Sequence, residues 1–81
     1  MDPKQLIHKK EREFRVQLGQ EIKAVRESKG YSLAYVAENV GIKPTTLENI
    51  EAGRFGIKVD FLVRFSIVLE HEFVVVPAID K

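Results

Sequence analysis

Few side chains in this sequence could do covalent chemistry, and none sits in a pattern that would let it. His8 and His71 are the two histidines, and cysteine is absent. His71 stands between Glu70 and Glu72, but three adjacent residues do not converge on one metal ion, so a histidine in a linker is the better reading. Without cysteine there is no thiol nucleophile, no disulfide and no thiolate zinc or iron-sulfur site. No Gly-rich phosphate loop, nucleophile with a partnered base or pair of carboxylates for acid–base work can be argued from the spacing. The expectation is a protein without catalytic residues, metal ligands or cofactor, and therefore not an enzyme.

What remains is charge and hydrogen bonding. Lys and Arg number 13 against 12 Asp and Glu, a net charge of +1. The distribution is uneven: residues 1–30 carry +3, residues 31–53 carry −2, and the rest is balanced. Any positive face must be assembled by folding, from the first helix and the segment around Arg54 and Lys58. With 81 residues, 44% of them apolar and 31% charged, the chain reads as one small folded domain, too short for a doubly wound or barrel enzyme and too apolar for disorder. Such a chain buries only about 60% of the surface its unfolded form exposes, so a partner subunit is expected. The N-terminus is polar, and the apolar run Phe73 to Pro77 is far short of the roughly 20 residues of a membrane helix. The reading is a cytoplasmic protein with no membrane partner.

The elements that must position these charges follow from periodicity. Phe14, Leu18, Ile22 and Val25 recur at helical spacing, predicting a helix from Glu11 to Lys29 that Gly30 ends; Leu6 and Ile7 precede it in an expected frayed arm. Ser32 caps a short helix over 33–40, with Leu33, Val36, Ala37 and Val40 on one face, and Gly41 ends it. A third helix over 44–52 starts at Pro44, or at Thr45 with Glu48 as a capping box, and closes at Gly53. Two short helices joined by a tight turn outline a helix-turn-helix. After a loop from Arg54 to Lys58, a fourth helix over 59–69 places Val59, Leu62, Phe65, Ser66 and Leu69 on a core face and leaves Phe61, Val63, Ile67 and Val68 as surplus. Phe73-Val74-Val75-Val76, stopped by Pro77, has the composition of a strand. A lone strand needs an edge to pair with, and the nearest is the same strand of a second copy. The predicted fold is all-α, four main helices with a C-terminal strand pairing across a homodimer whose interface is Phe61, Val63, Ile67, Val68, Phe73, Val74, Val75 and Val76. Residues 1–12 are read as an arm or helix extension, 13–70 as the helical domain and 71–81 as strand and tail.

Between Leu18 and Leu69 one set of residues falls in a specific spacing: Ile22 and Arg26, Gly30-Tyr31-Ser32, Val36-Ala37, the turn Val40-Gly41-Ile42, Thr46-Leu47, Ile50-Glu51, Gly53-Arg54, and Val59, Leu62, Phe65 and Leu69. In that combination the chain resembles the Cro/C1-type (XRE-family) helix-turn-helix domain, with its lambda-repressor-like fold. Each position has its own physical reading: Ala37 is small where two helices cross, Gly41 allows a backbone closed to most residues, and Ile42 plugs the corner. The resemblance implies that Glu51 pairs with Arg26, tying the third helix to the first; otherwise Glu51 is an exposed last-turn residue and Arg26 a surface charge. It also places the third helix in the major groove of double-stranded DNA, with Pro44, Thr45, Glu48 and Asn49 facing base edges. Backbone phosphates are then expected at Ser32, Lys43, Arg54 and Lys58, although all eight could equally be solvated surface groups. The chain departs from the family at Leu33 for a Gln, Lys43 for a Ser or Thr cap, Ile57 for a Pro and Glu70 for a Gly. Leu33 and the acidic 31–53 segment weaken the expected affinity, because phosphate neutralisation supplies much of it. The run Leu69 to Val76 further resembles the ending of HipB-type antitoxin-repressors. The function implied is sequence-specific DNA binding as a dimeric repressor; the alternative is an antitoxin or protein-interaction module with a toxin protein as partner and DNA contact weak or secondary.

Overall fold

Asp2 opens the first helix: its carboxylate accepts the Gln5 backbone N–H at 3.0 Å, and Pro3, which has no N–H to leave unpaired, occupies the first helical position. The computed structural model describes residues 2–73 and contains four helices, α1 Pro3–Ser28, α2 Leu33–Val40, α3 Pro44–Glu51 and α4 Val59–Leu69. Val74, Val75 and Val76, and with them the predicted strand, lie outside the described residues. Phe73 precedes them, partly buried against the core.

The expected frayed arm is instead helix. Cap and proline start α1 eight residues before the predicted start at Glu11, and ion pairs support the exposed turns, Lys9–Glu13 at 4.0 Å and Lys10–Glu13 at 3.6 Å, with the His8 Nδ1 3.7 Å from the Glu11 carboxylate. At about 1.5 Å per residue, α1 is about 39 Å long, nearly the whole 41 Å long dimension of the molecule.

The core gathers one stripe from each helix: Leu18 and Ile22 of α1, Val36, Ala37 and Val40 of α2, Leu47 and Ile50 of α3, and Leu62, Phe65 and Leu69 of α4. Leu33 lies half-buried against it, which accounts for an apolar residue at the start of α2. The α2–α3 turn is closed by two N–H groups, of Gly41 and Ile42, both donating to the Ala37 carbonyl at 2.8 and 2.9 Å, with Gly41 at a φ of 94°. From α4, the Arg64 Nη1 reaches across to donate to the Val40 carbonyl at 3.1 Å, capping the end of α2.

On α4 the division between core and surplus differs from expectation in two ways. Val59 is not core but 66% exposed, and with Val63 at 54% and Ile67 at 72% it forms an open stripe at i, i+4, i+8. Phe61 and Val68 are partly buried against their own chain's core. The α3–α4 segment folds back so that Ile57 joins the core rim, and Ile42, Ile50 and Ile57 line a hollow with Phe61. Glu70 then takes a left-handed φ of 50° as the C-cap of α4. His71 follows, its N–H donating to the Ser66 carbonyl at 3.1 Å and its Nε2 lying 2.6 Å from the Glu21 carboxylate of α1.

Candidate nucleic-acid interface

The side chains of interest ride on α3, so what holds α3 comes first. Glu51, its last residue, is buried and paired with buried Arg26 of α1 through two bonds, Nε to Oε2 at 2.7 Å and Nη2 to Oε1 at 3.1 Å. The third arm of the guanidinium, Nη1, donates to the Tyr31 carbonyl at 2.8 Å. One planar cation thus joins α1, the α1–α2 turn and the end of α3. The hydrogen bond to Glu51 holds the Arg26 guanidinium above its ordinary range despite the opposing cost of burial, so it stays charged wherever the fold exists.

Sequence inspection missed a second fastening. Gly19 sits in the middle of α1, where a glycine costs helix stability. A Cβ there would lie 2.3 Å from the Ile50 carbonyl oxygen and 2.8 Å from that of Glu51. The absent side chain lets the last turn of α3 rest on the α1 backbone. A helix-interior glycine bracketed by Leu18 and Ile22 was the available signal.

Held this way, α3 buries Leu47, Ile50 and Glu51 and turns Pro44, Thr45 and Glu48 outward, with half-buried Asn49 at the edge of that face. The Asn49 Nδ2 donates to the Thr45 carbonyl at 2.9 Å, and its Oδ1 accepts from the Arg54 Nη1 at 3.3 Å. An amide has two N–H donors and two lone pairs on oxygen. One of each is therefore used within the protein and one of each is left, the pair needed for a bidentate contact to adenine.

The four residues expected at phosphates all lie exposed at helix margins. Ser32 is the N-cap of α2 and its Oγ accepts the Tyr35 N–H at 3.0 Å, leaving the hydroxyl proton for an outside acceptor. Lys43 and Lys58 are the N-caps of α3 and α4, and neither makes a side-chain cap bond. Lysine is a poor N-cap, because it accepts nothing and sets a positive charge at the positive end of the helix dipole; an arriving anion would satisfy the uncapped N–H groups and the lysine together. Arg54 lies just past the end of α3. Two exposed aromatics accompany these positions without having been singled out by sequence, Phe55 beside Arg54 and Tyr35, whose ring packs on Tyr31 at 4.7 Å. Among the described residues no group of three or more His, Asp or Glu could hold a metal ion, and no described helix is long and apolar enough to cross a membrane.

Residues 22–70 match the family described as helix-turn-helix. Among solved structures, the chain is similar to the N-terminal DNA-binding domain of SinR from Bacillus subtilis, with 38% identity, 68% of this chain and 81% of that one covered, and a TM-score of 0.63. It is also similar to the clp gene regulator ClgR from Corynebacterium glutamicum, with 28% identity, 69% of this chain covered and a TM-score of 0.68; there the match spans 60% of ClgR's length. The restriction-modification controller protein C.AhdI from Aeromonas hydrophila shares the fold at 22% identity, with 72% and 88% covered and a TM-score of 0.68. No curated protein matches the chain. The family match over the two short helices and their flanks, together with the Arg26–Glu51 clamp, means that the chain belongs to the Cro/C1-type (XRE-family) helix-turn-helix family of DNA-binding domains.

Proposed function

We propose that this protein binds double-stranded DNA in a sequence-specific way as a dimeric transcriptional repressor, with α3 as the recognition helix in the major groove. The observation that carries the reading is the open polar face of α3, with Thr45, Glu48 and Asn49 along it and cations at both ends, Lys43 before it and Arg54 after it. Thr45 can meet a thymine methyl or a base edge, Glu48 can accept from cytosine N4, and Asn49 has the free donor and acceptor that adenine requires. Ser32, Lys43, Arg54 and Lys58 take phosphates on either side, which sets register without reading sequence. The likeness to the SinR DNA-binding domain and to the regulator ClgR supports the same role.

The second copy enters through α4. Val59, Val63 and Ile67 form an apolar stripe in water, and covering it with the same stripe of a partner, with Phe61, Val68 and Phe73 to Val76 extending the contact, buries what one chain leaves open. Selection from a pool of randomised duplexes tests the whole reading. The expected outcome is a roughly palindromic consensus whose half-sites lie about 10 base pairs, or a multiple of that, apart. The same exposed stripe, with the −2 balance of residues 31–53, favours a second reading, a protein-interaction module of the antitoxin kind. No measurable affinity for any duplex at low salt, where electrostatic attraction is strongest, would replace the first reading with this one.

A further inference from the structure

The side of α1 that packs on α3 does not stop where the bundle stops. At about 100° per residue, Gly19, Ile22 and Arg26, the residues that meet or clamp α3, share an arc of about 80° with Arg15, Arg12, His8 and Lys4. The buried seam therefore continues toward the N-terminus as a basic stripe. Ahead of it lies not α3 but the segment carrying Arg54: a Cβ on Gly53 would touch Val16, and one on Gly56 would lie 3.8 Å from Arg15 Cδ. Beyond that segment the stripe is open, with Lys4, His8 and Arg12 all exposed.

The charges on this stripe are not used up within the protein. His8 has Glu11 at 3.7 Å, and Lys9 and Lys10, off the stripe or at its margin, share Glu13. Among the described residues, Lys4, Arg12 and Arg15 have no carboxylate within salt-bridge distance. Arg15 is the most constrained of them: the residue is half-buried, and among the described residues its Nε is buried without an acceptor. A buried N–H without an acceptor is unusual enough to need a reason. Here the side chain lines a hollow with Glu11, Phe55, Gly56 and Ile57, against the segment that follows Arg54, and that packing encloses its Nε.

We propose that the N-terminal half of α1 is a second phosphate-binding surface, which extends the DNA footprint outward from the recognition helix through Lys4, Arg12 and Arg15. It rests on the reading that α3 and Arg54 face DNA. With α3 against one side of the seam, whatever lies past its C-terminal end must face the seam's continuation, and on that reading it is the flanking backbone. Residues 3–13 extend about 16 Å, about the length of five base pairs at 3.4 Å each. The surface lies outside residues 22–70, the span of the family match.

The test is the salt dependence of binding to a mixed-sequence duplex long enough to include flanks, and to a short one trimmed to the recognition half-sites. Lys4→Gln with Arg12→Gln leaves the fold intact, since both side chains are exposed. In the long duplex this variant should lower the slope of log affinity against log salt by about 0.9 for each phosphate no longer neutralised, so by up to about 3.6 in a dimer, with little change in the short duplex. Arg15→Lys keeps the charge and should bind like the wild type, whereas Arg15→Gln should lower the slope again. If Lys4→Gln with Arg12→Gln changes nothing while Arg54→Ala lowers the slope, the stripe proposal is wrong and the recognition-helix reading stands, leaving the stripe for an acidic protein partner. If the wild type binds neither duplex, both fail together.

Discussion

Asn49 is held by the fold on the face proposed to read DNA. Its amide spends one donor on the Thr45 carbonyl and one lone pair on Arg54, which fixes its plane and, on the proposed reading, would couple a base reader to a phosphate anchor. Asn49→Ala should relax discrimination at one base pair in each half-site by about 1 to 3 kcal/mol, measured by competition between the selected duplex and single-base variants; equal selectivity would show that Asn49 does not read bases. Arg26 and Glu51 do a different kind of work, holding α3 from a buried position. Because the pair is buried and bidentate, Glu51→Gln leaves a cation without its counter-charge and should lower unfolding free energy by about 3 kcal/mol in urea titration. That change is large for a domain of this size, so reduced DNA affinity in this variant would reflect misplacement of α3.

At the scale of elements, two positions decide how closely the helices can approach and how they end. Gly19→Ala puts a methyl carbon into backbone carbonyls that cannot step aside, so α1 and α3 must separate, at a cost of at least about 2 kcal/mol in the same titration. Glu70 sits at the C-terminus of α4 with a left-handed φ and a negative charge at the negative end of the helix dipole. Glu70→Gly removes both and should stabilise by about 0.5 to 1 kcal/mol, read as a rise of several degrees in melting temperature. These positions also mark what a sequence can disclose. Helix α2 was legible because its cap Ser32, its terminal Gly41 and its apolar spacing agree, α3 because Pro44 and Gly53 bracket it, and α4 through its apolar spacing alone. The start of α1 was not, because its apolar stripe thins out before Phe14 and the Asp2-Pro3 cap is a purely local signal that periodicity does not register. Val59 was misplaced for a different reason: the 3.6-residue period fits it to the core face of α4, but only the path of the preceding loop decides whether the first turn is covered. The candidate DNA face was legible through resemblance alone, since nothing in the spacing of Thr45, Glu48 and Asn49 distinguishes a reading face from a solvated one.

The molecule as a whole is a long helix with three short ones packed on one end of it, and it keeps an apolar stripe in water on the side of α4. A stripe of three exposed β-branched side chains is narrow for a stable subunit contact, which is why the proposed dimer contact extends to Phe61, Val68 and the segment from Phe73. Ile67→Glu separates the alternatives, because Ile67 is 72% exposed and a charge there should change the stability of a single chain by no more than about 0.5 kcal/mol. In a dimer the two glutamates would face each other or an apolar neighbour across the two-fold axis, and the pair should dissociate. Sedimentation at micromolar concentration should then give about twice the chain mass for the wild type and one chain mass for the variant. DNA binding should follow. A dimer holds its second recognition helix near its half-site at an effective concentration that a free monomer lacks, so the variant should lose far more affinity for a palindromic duplex than for a half-site. A wild type that sediments as one chain, or an Ile67→Glu protein that remains a dimer, would put the subunit contact somewhere other than α4.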